Sequence, residues 1–265
     1  RLARLFGGEA RGRRPLRRPL VNATVAHGET GLNGARLPAP TMATQPGHAV
    51  DWLVERVMSS GDQEITLCAL GPLTNIATAF RRELRMARRL REIIIMGGAD
   101  ENGGNVTPAA EFNIHVDPEA AAEVFAAGCK ITLVPLELTQ QVMVTRERLA
   151  QIRNLGSRVS RAVTGLLEFY NGFDTGRTER ESDALHDPCV IAYLLRPNLF
   201  AGSSINVAIE TESADKSGMT IMDWRGRSGR APNCSVLHKA DGEGLFRLLM
   251  ERLGTYRDGQ DPAAA

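Results

Sequence analysis

The chain has 265 residues, with 32 Lys and Arg against 31 Asp and Glu, 43% hydrophobic and 5% aromatic. That length suits one large domain with a real core and is short for two. The near-neutral charge argues against a protein that coats nucleic acid, and no apolar run reaches the roughly 18–20 residues that span a bilayer. The first twenty residues hold seven Arg and a single acid, Glu9. Pro15, Pro19 and the Gly7-Gly8 pair read as a solvated loop rather than a targeting helix. Cys68, Cys129, Cys189 and Cys234 are scattered, without C-x-x-C or zinc-finger spacing, as expected of buried thiols in a cytoplasmic protein.

Along the chain, residues 49–59 carry apolar side chains at 50, 53, 54 and 57, a helical spacing. Residues 65–70 form an apolar run of strand length, and Gly71-Pro72 turns the chain into a second helical repeat over 73–80. Residues 93–96 (IIIM) read as a buried strand cut off by Gly97-Gly98. Asp117-Pro118 opens a helix as N-cap and first helical residue, and 131–134 make a third strand. An amphipathic helix follows over 158–173 and another over 187–195. Strands are expected at 205–210, 219–224 and 235–238, and Asp241 caps a closing helix to about Leu253. Strands and helices alternating at this spacing predict an open, mostly parallel sheet flanked by helices, a single α/β domain. Continuous apolar strands predict burial on both faces.

In such a sheet a ligand sits beyond the carboxyl ends of the strands. The glycine-bordered loop after the second strand places Asn105, Glu111 and Asn113 together. In an extended backbone Glu111 and Asn113 would share a face. Amides and carboxylates clustered there suit a polyhydroxylated ligand such as a sugar; an ordinary polar loop with Asx turns explains them equally well. Asp187 in His186-Asp187-Pro188 reads first as a helix cap, with His186 as a candidate acid near neutral pH. A second histidine, His27, lies on a glycine loop that lacks the Lys-Ser/Thr ending of a phosphate-binding loop. Phe169, Tyr170 and Phe173 fit either a pocket wall or the core of their helix.

Seven stretches in order resemble the calcium-dependent, inosine-uridine preferring nucleoside hydrolases. They are residues 27–34 (HGETGLNG), 69–75 (ALGPLTN), 96–98 (MGG), 104–113 (GNVTPAAEFN), 117–120 (DPEA), 186–188 (HDP) and 218–223 (GMTIMD). The resemblance implies a Rossmann-like nucleoside hydrolase fold and hydrolysis of the N-glycosidic bond of ribonucleosides to base and ribose, a reaction of purine and pyrimidine salvage. It implies that Asn105, Glu111 and Asn113 hold the ribose hydroxyls. Asp187 and the Leu70 carbonyl match ligands of a Ca²⁺ ion, His186 matches a residue that assists the leaving base, and His27 matches one facing the base. It also implies a homo-oligomer, dimer or tetramer.

The family's opening D-x-D-P-G-x-D-D stretch has no counterpart, since no Asp precedes Asp51. The expectation is therefore an N-terminally incomplete hydrolase domain over 1–254 with a disordered tail at 255–265. Weak calcium binding, slow hydrolysis and an unpaired sheet edge are expected with it. The alternative is a catalytically inactive pseudo-enzyme that binds nucleosides or ribose.

Overall fold

The computed structural model describes residues 31–35, 37–38, 42–170 and 184–257. The Arg-rich residues 1–20, His27, Phe173 and the tail from 258 lie outside them. The apolar spacing of residues 50 to 57 gives α1 (Ala49–Ser59), which buries Val50, Leu53 and Val57. β1 (Thr66–Ala69) follows, then α2 (Thr74–Arg82), α3 (Met86–Arg89) and β2 (Glu92–Met96). α4 (Phe112–His115) and α5 (Pro118–Ala126) lead to β3 (Ile131–Val134). The chain continues through α6 (Leu136–Thr139), α7 (Arg146–Asn154), α8 (Arg158–Tyr170) and α9 (Asp187–Leu195). β4 (Phe200–Ile209), β5 (Thr220–Asp223), β6 (Cys234–Ala240) and α10 (Gly242–Leu253) complete it.

The six strands of the described residues form one sheet in the order β1-β2-β3-β6-β4-β5. β1, β2, β3 and β6 run parallel, and β4 pairs antiparallel with both β6 and β5. The mostly parallel α/β sheet is thus as expected, and among the described strands β1 lies at one edge of it. β4 begins five residues before the expected position because Phe200 to Ser204 pair with β6 across a bulge at Ala201/Gly202. A Gly-Ser segment of that kind reads as loop until its partner strand is known.

β2 shows why the sheet is buried on both faces. Ile93 and Ile95 join the apolar cluster that includes Val50, Ile76, Phe80 and Val124. Ile94 and Met96, pointing the other way, join the cluster of Leu149, Cys189, Val190, Leu245 and Leu248. Each such side chain contributes about 1.5–3 kcal/mol by leaving water.

Caps fix the helix entries. Asp117 accepts from Ala120 N at 3.2 Å and from Thr74 Oγ1 at 2.6 Å, so one carboxylate starts α5 and holds the start of α2 against it. Asp241 caps α10 through Gly244 N at 2.9 Å. At its far end, turn bonds from Thr255 and Tyr256 close α10.

Candidate active site

The polar groups expected at the strand ends gather where β2 stops. Glu111 is the N-cap of α4, and its side chain folds back to accept from Asn113 N at 2.9 Å and Ile114 N at 3.3 Å. It also accepts from Gly98 N at 3.1 Å. The expected extended run through Glu111-Phe112-Asn113 is therefore replaced by a helical turn, because the carboxylate satisfies the turn's orphan N–H groups. The two side chains still converge, since Asn113 Nδ2 donates to the Met96 carbonyl at 3.1 Å, beside Gly98. Asn105 stands at the exposed rim, its Oδ1 accepting from Phe112 N at 2.9 Å. This loop closes so tightly that a Cβ on Gly104 would lie 1.9 Å from the Ala110 carbonyl oxygen, so glycine is required there.

Glu111 is only 2% exposed. Burial pushes its carboxyl up to about 7 against the pull of its three N–H partners, and the Asp187 charge adds to the rise. That coupling brings the second half of the site next to the first. Asp187 is the first residue of α9 rather than its cap; His186 holds the cap position, and neither makes a side-chain cap bond. The Asp187 carboxylate is open to solvent yet surrounded by protein, which pushes it up to about 6.

His186 is half-buried, and burial lowers its imidazole to about 4. Its Nδ1 lies 2.7 Å from Thr139 Oγ1, and its ring meets that of Tyr170 edge-on at 6.4 Å. The Tyr170 phenol is raised by burial and then by the charges of Asp187 and Glu111. Leu70, just past β1, packs against the cluster of Leu185, Cys189 and Val190 that supports the start of α9. The structure thus gathers Glu111, Asn113, His186, Asp187 and Tyr170, with Asn105 at the rim and Leu70 at the neighbouring strand end. His27 lies outside the described residues, although its loop's described end, Gly34, sits 2.2 Å by its would-be Cβ from the Gly165 carbonyl of α8.

The Asp187 carboxylate and the Leu70 carbonyl are hard oxygen donors of the kind Ca²⁺ takes, and Asp187 has no protein partner among the described residues. Two donors are short of the six to eight oxygens such an ion collects. Among the described residues no group of three or more His, Cys, Asp or Glu could hold a metal. The donors therefore fit such an ion in kind and not in number. A separate concavity of about 550 Å³, lined by Met58, Asp62, Gln63, Arg85, Arg88 and Arg89, lies at the N-terminal ends of β1 and β2 and shares none of these residues.

Thr139 and Glu137 escape a reading of the sequence alone. Both belong to residues 136–139 (LELT), directly after β3, so the strand-end rule reaches them in principle. A single helical turn offers no periodicity to draw attention there.

A family model described as inosine-uridine preferring nucleoside hydrolase matches residues 5–247. The pyrimidine-specific ribonucleoside hydrolase RihA of Photobacterium profundum is 40% identical over 243 residues, 91% of this chain and 78% of that protein. A plant nucleoside hydrolase structure, PpNRh1, matches with TM-score 0.79 and 31% identity, covering 89% of this chain and 76% of its own. A purine-preferring ribonucleoside hydrolase from Gardnerella vaginalis matches with TM-score 0.79 and 26% identity, over 88% and 73% of the two chains. The chain belongs to the inosine-uridine preferring nucleoside hydrolase family.

Proposed function

We propose that this family member hydrolyses the N-glycosidic bond of ribonucleosides, releasing free base and ribose. The observation that carries the reading is the convergence of Glu111 and Asn113 on Gly98 and Met96, at and just past the end of β2, beside Asp187, His186 and Tyr170. The hydrogen-bond inventory supports a ribose. Among the described residues, Asn105 keeps its Nδ2 donors, Asn113 its carbonyl oxygen, and Glu111 one of about four lone-pair sites after three N–H contacts. Cleavage passes through an oxocarbenium-like state, which the carboxylates of Glu111 and Asp187 would stabilise. His186 assists the departing base, and we assign His27 to the base side of the pocket.

Asp187 and the Leu70 carbonyl would hold Ca²⁺. Bound there, the ion supplies Lewis-acid polarisation of a water nucleophile and of the ribose hydroxyls. The RihA relatives make uridine and cytidine the first substrates to try, with inosine beside them. Four free cysteines and the absence, among the described residues, of a helix long and apolar enough to cross a membrane fit a cytoplasmic role in salvage. We take the protein to act as a homo-oligomer, dimer or tetramer.

The second reading, a pseudo-enzyme that binds nucleosides without cleaving them, is favoured by the two-donor metal set among the described residues. Base release from uridine and inosine, with Ca²⁺ against a chelator, separates the two. Release that the chelator abolishes, and that Asp187→Asn also abolishes, supports the enzyme. Calorimetric nucleoside binding without release supports the pseudo-enzyme, and neither binding nor release overturns both.

A further inference from the structure

Though only one turn long, α6 holds both halves of the site. Its Leu136 N donates to the Gly98 carbonyl at 3.0 Å, and its Glu137 Oε1 accepts from Asp100 N at 2.8 Å. Two residues on, Thr139 Oγ1 reaches His186 Nδ1 at 2.7 Å, across 47 residues of sequence. The direction of this last bond decides what the histidine can offer.

A hydroxyl has one proton to give. Two acceptors compete for that of Thr139: the Leu136 carbonyl at 3.1 Å and His186 Nδ1 at 2.7 Å. The carbonyl already accepts from Gln140 N at 2.9 Å, whereas Nδ1 has no other partner among the described residues. A separation of 2.7 Å is also the usual length for a hydroxyl donor and short for a ring N–H, which centres near about 2.9–3.0 Å. Nor does the ring cap α9, so among the described residues nothing else fixes its orientation through a hydrogen bond.

We propose that Thr139 is a positioning residue whose hydroxyl donates to His186 Nδ1, holding the neutral ring as the Nε2–H tautomer. That leaves Nε2–H, which has no partner among the described residues, as a hydrogen-bond donor for the leaving base. The opposite tautomer would present a lone pair there and could only accept. The use of the tautomer rests on the proposed role of His186 toward the base; the tautomer itself does not.

Nitrogen-15 correlation spectra of the histidine-labelled 265-residue chain at about pH 8, where an ordinary histidine is neutral, read the tautomer directly. The His186 signal is assigned by its loss in His186→Gln. The expected result is protonated Nε2 in the wild type, retained in Thr139→Ser and replaced by mixed tautomers in the near-isosteric Thr139→Val. Circular dichroism confirms that each variant is folded. A wild type protonated on Nδ1, or an unchanged tautomer in folded Thr139→Val, overturns the proposal. Where base is released, Thr139→Val lowers kcat by up to roughly 100-fold with KM little changed, and Thr139→Ser restores it. A chain that releases no base sinks the enzymatic reading while leaving the tautomer measurement intact.

Discussion

Two buried glutamates mark the two ends of β2, and they are treated in opposite ways. Glu92, at its start, is 8% exposed and has a cation and a hydroxyl for company: Lys130 Nζ at 3.4 Å and Thr132 Oγ1 at 2.5 Å. Glu111, docked on its end, has three backbone N–H groups, a second carboxylate nearby, and no ion pair among the described residues. A buried charge without a cation is retained against its desolvation cost, and such exceptions concentrate where a ligand supplies what the protein omits. The same acid thus serves the fold at one end of the strand and a site at the other.

Removing the Glu111 side chain should break the comparison most severely. Glu111→Ala leaves three N–H groups without their acceptor and is expected to cost about 3 kcal/mol in denaturant titration. It should also lower base release by about 100-fold or more. A variant of wild-type stability would mean that the carboxylate does not hold α4 to the Gly98 turn.

Proton linkage sharpens the contrast. The folded-state value of about 7 lies above the ordinary 4.5. Between those values the folded chain keeps a proton that the unfolded chain has released, so stability is present at low pH and is lost as pH rises through about 7. A decline of up to about 3 kcal/mol is expected across that window, and Glu111→Gln should flatten it. Melts of the two proteins at matched pH values decide the matter.

Glu92→Gln should do least. It keeps the Thr132 contact and loses only a pairing with a largely exposed lysine, a change within about 1 kcal/mol that leaves base release untouched. An effect on turnover rivalling that of Glu111→Ala would erase the distinction between the two ends.

Much of the architecture is written in local patterns. The IIIM run of β2 announces a strand buried on both faces, and Asp117-Pro118 announces the start of α5. Asn105, Glu111, Asn113, His186 and Asp187 are found by inspecting the loops and helix starts beyond the strand ends. The features hidden from the sequence depend on distant partners or very short elements. α4 and α6 each span four residues, too few for a periodic signal, and α4 exists because Glu111 turns back on its own backbone. The weakly apolar α7 gives little periodic signal, although Thr145 caps it through Arg148 N at 3.2 Å. Nothing near Thr139 in the sequence reveals that its hydroxyl meets a histidine at the start of another helix. Asp187 looks like a cap in sequence, and only the backbone shows His186 in that place, leaving the carboxylate open.

The double burial of β2 has a consequence for how the site can open. Gly98, Asn113 and Ile114 donate their amides to a carboxylate anchored at the end of a strand whose five residues are all buried. Those amides should exchange with solvent about as slowly as the core itself, through global rather than local opening. Asn105 and its exposed neighbours, held by the contact to Phe112 N and by turn bonds within their own loop, belong to the faster-exchanging class. The pocket therefore has a floor as stiff as the domain and a rim that opens locally. Changes in which nucleoside is accepted should accumulate along that rim, while the floor tolerates almost none.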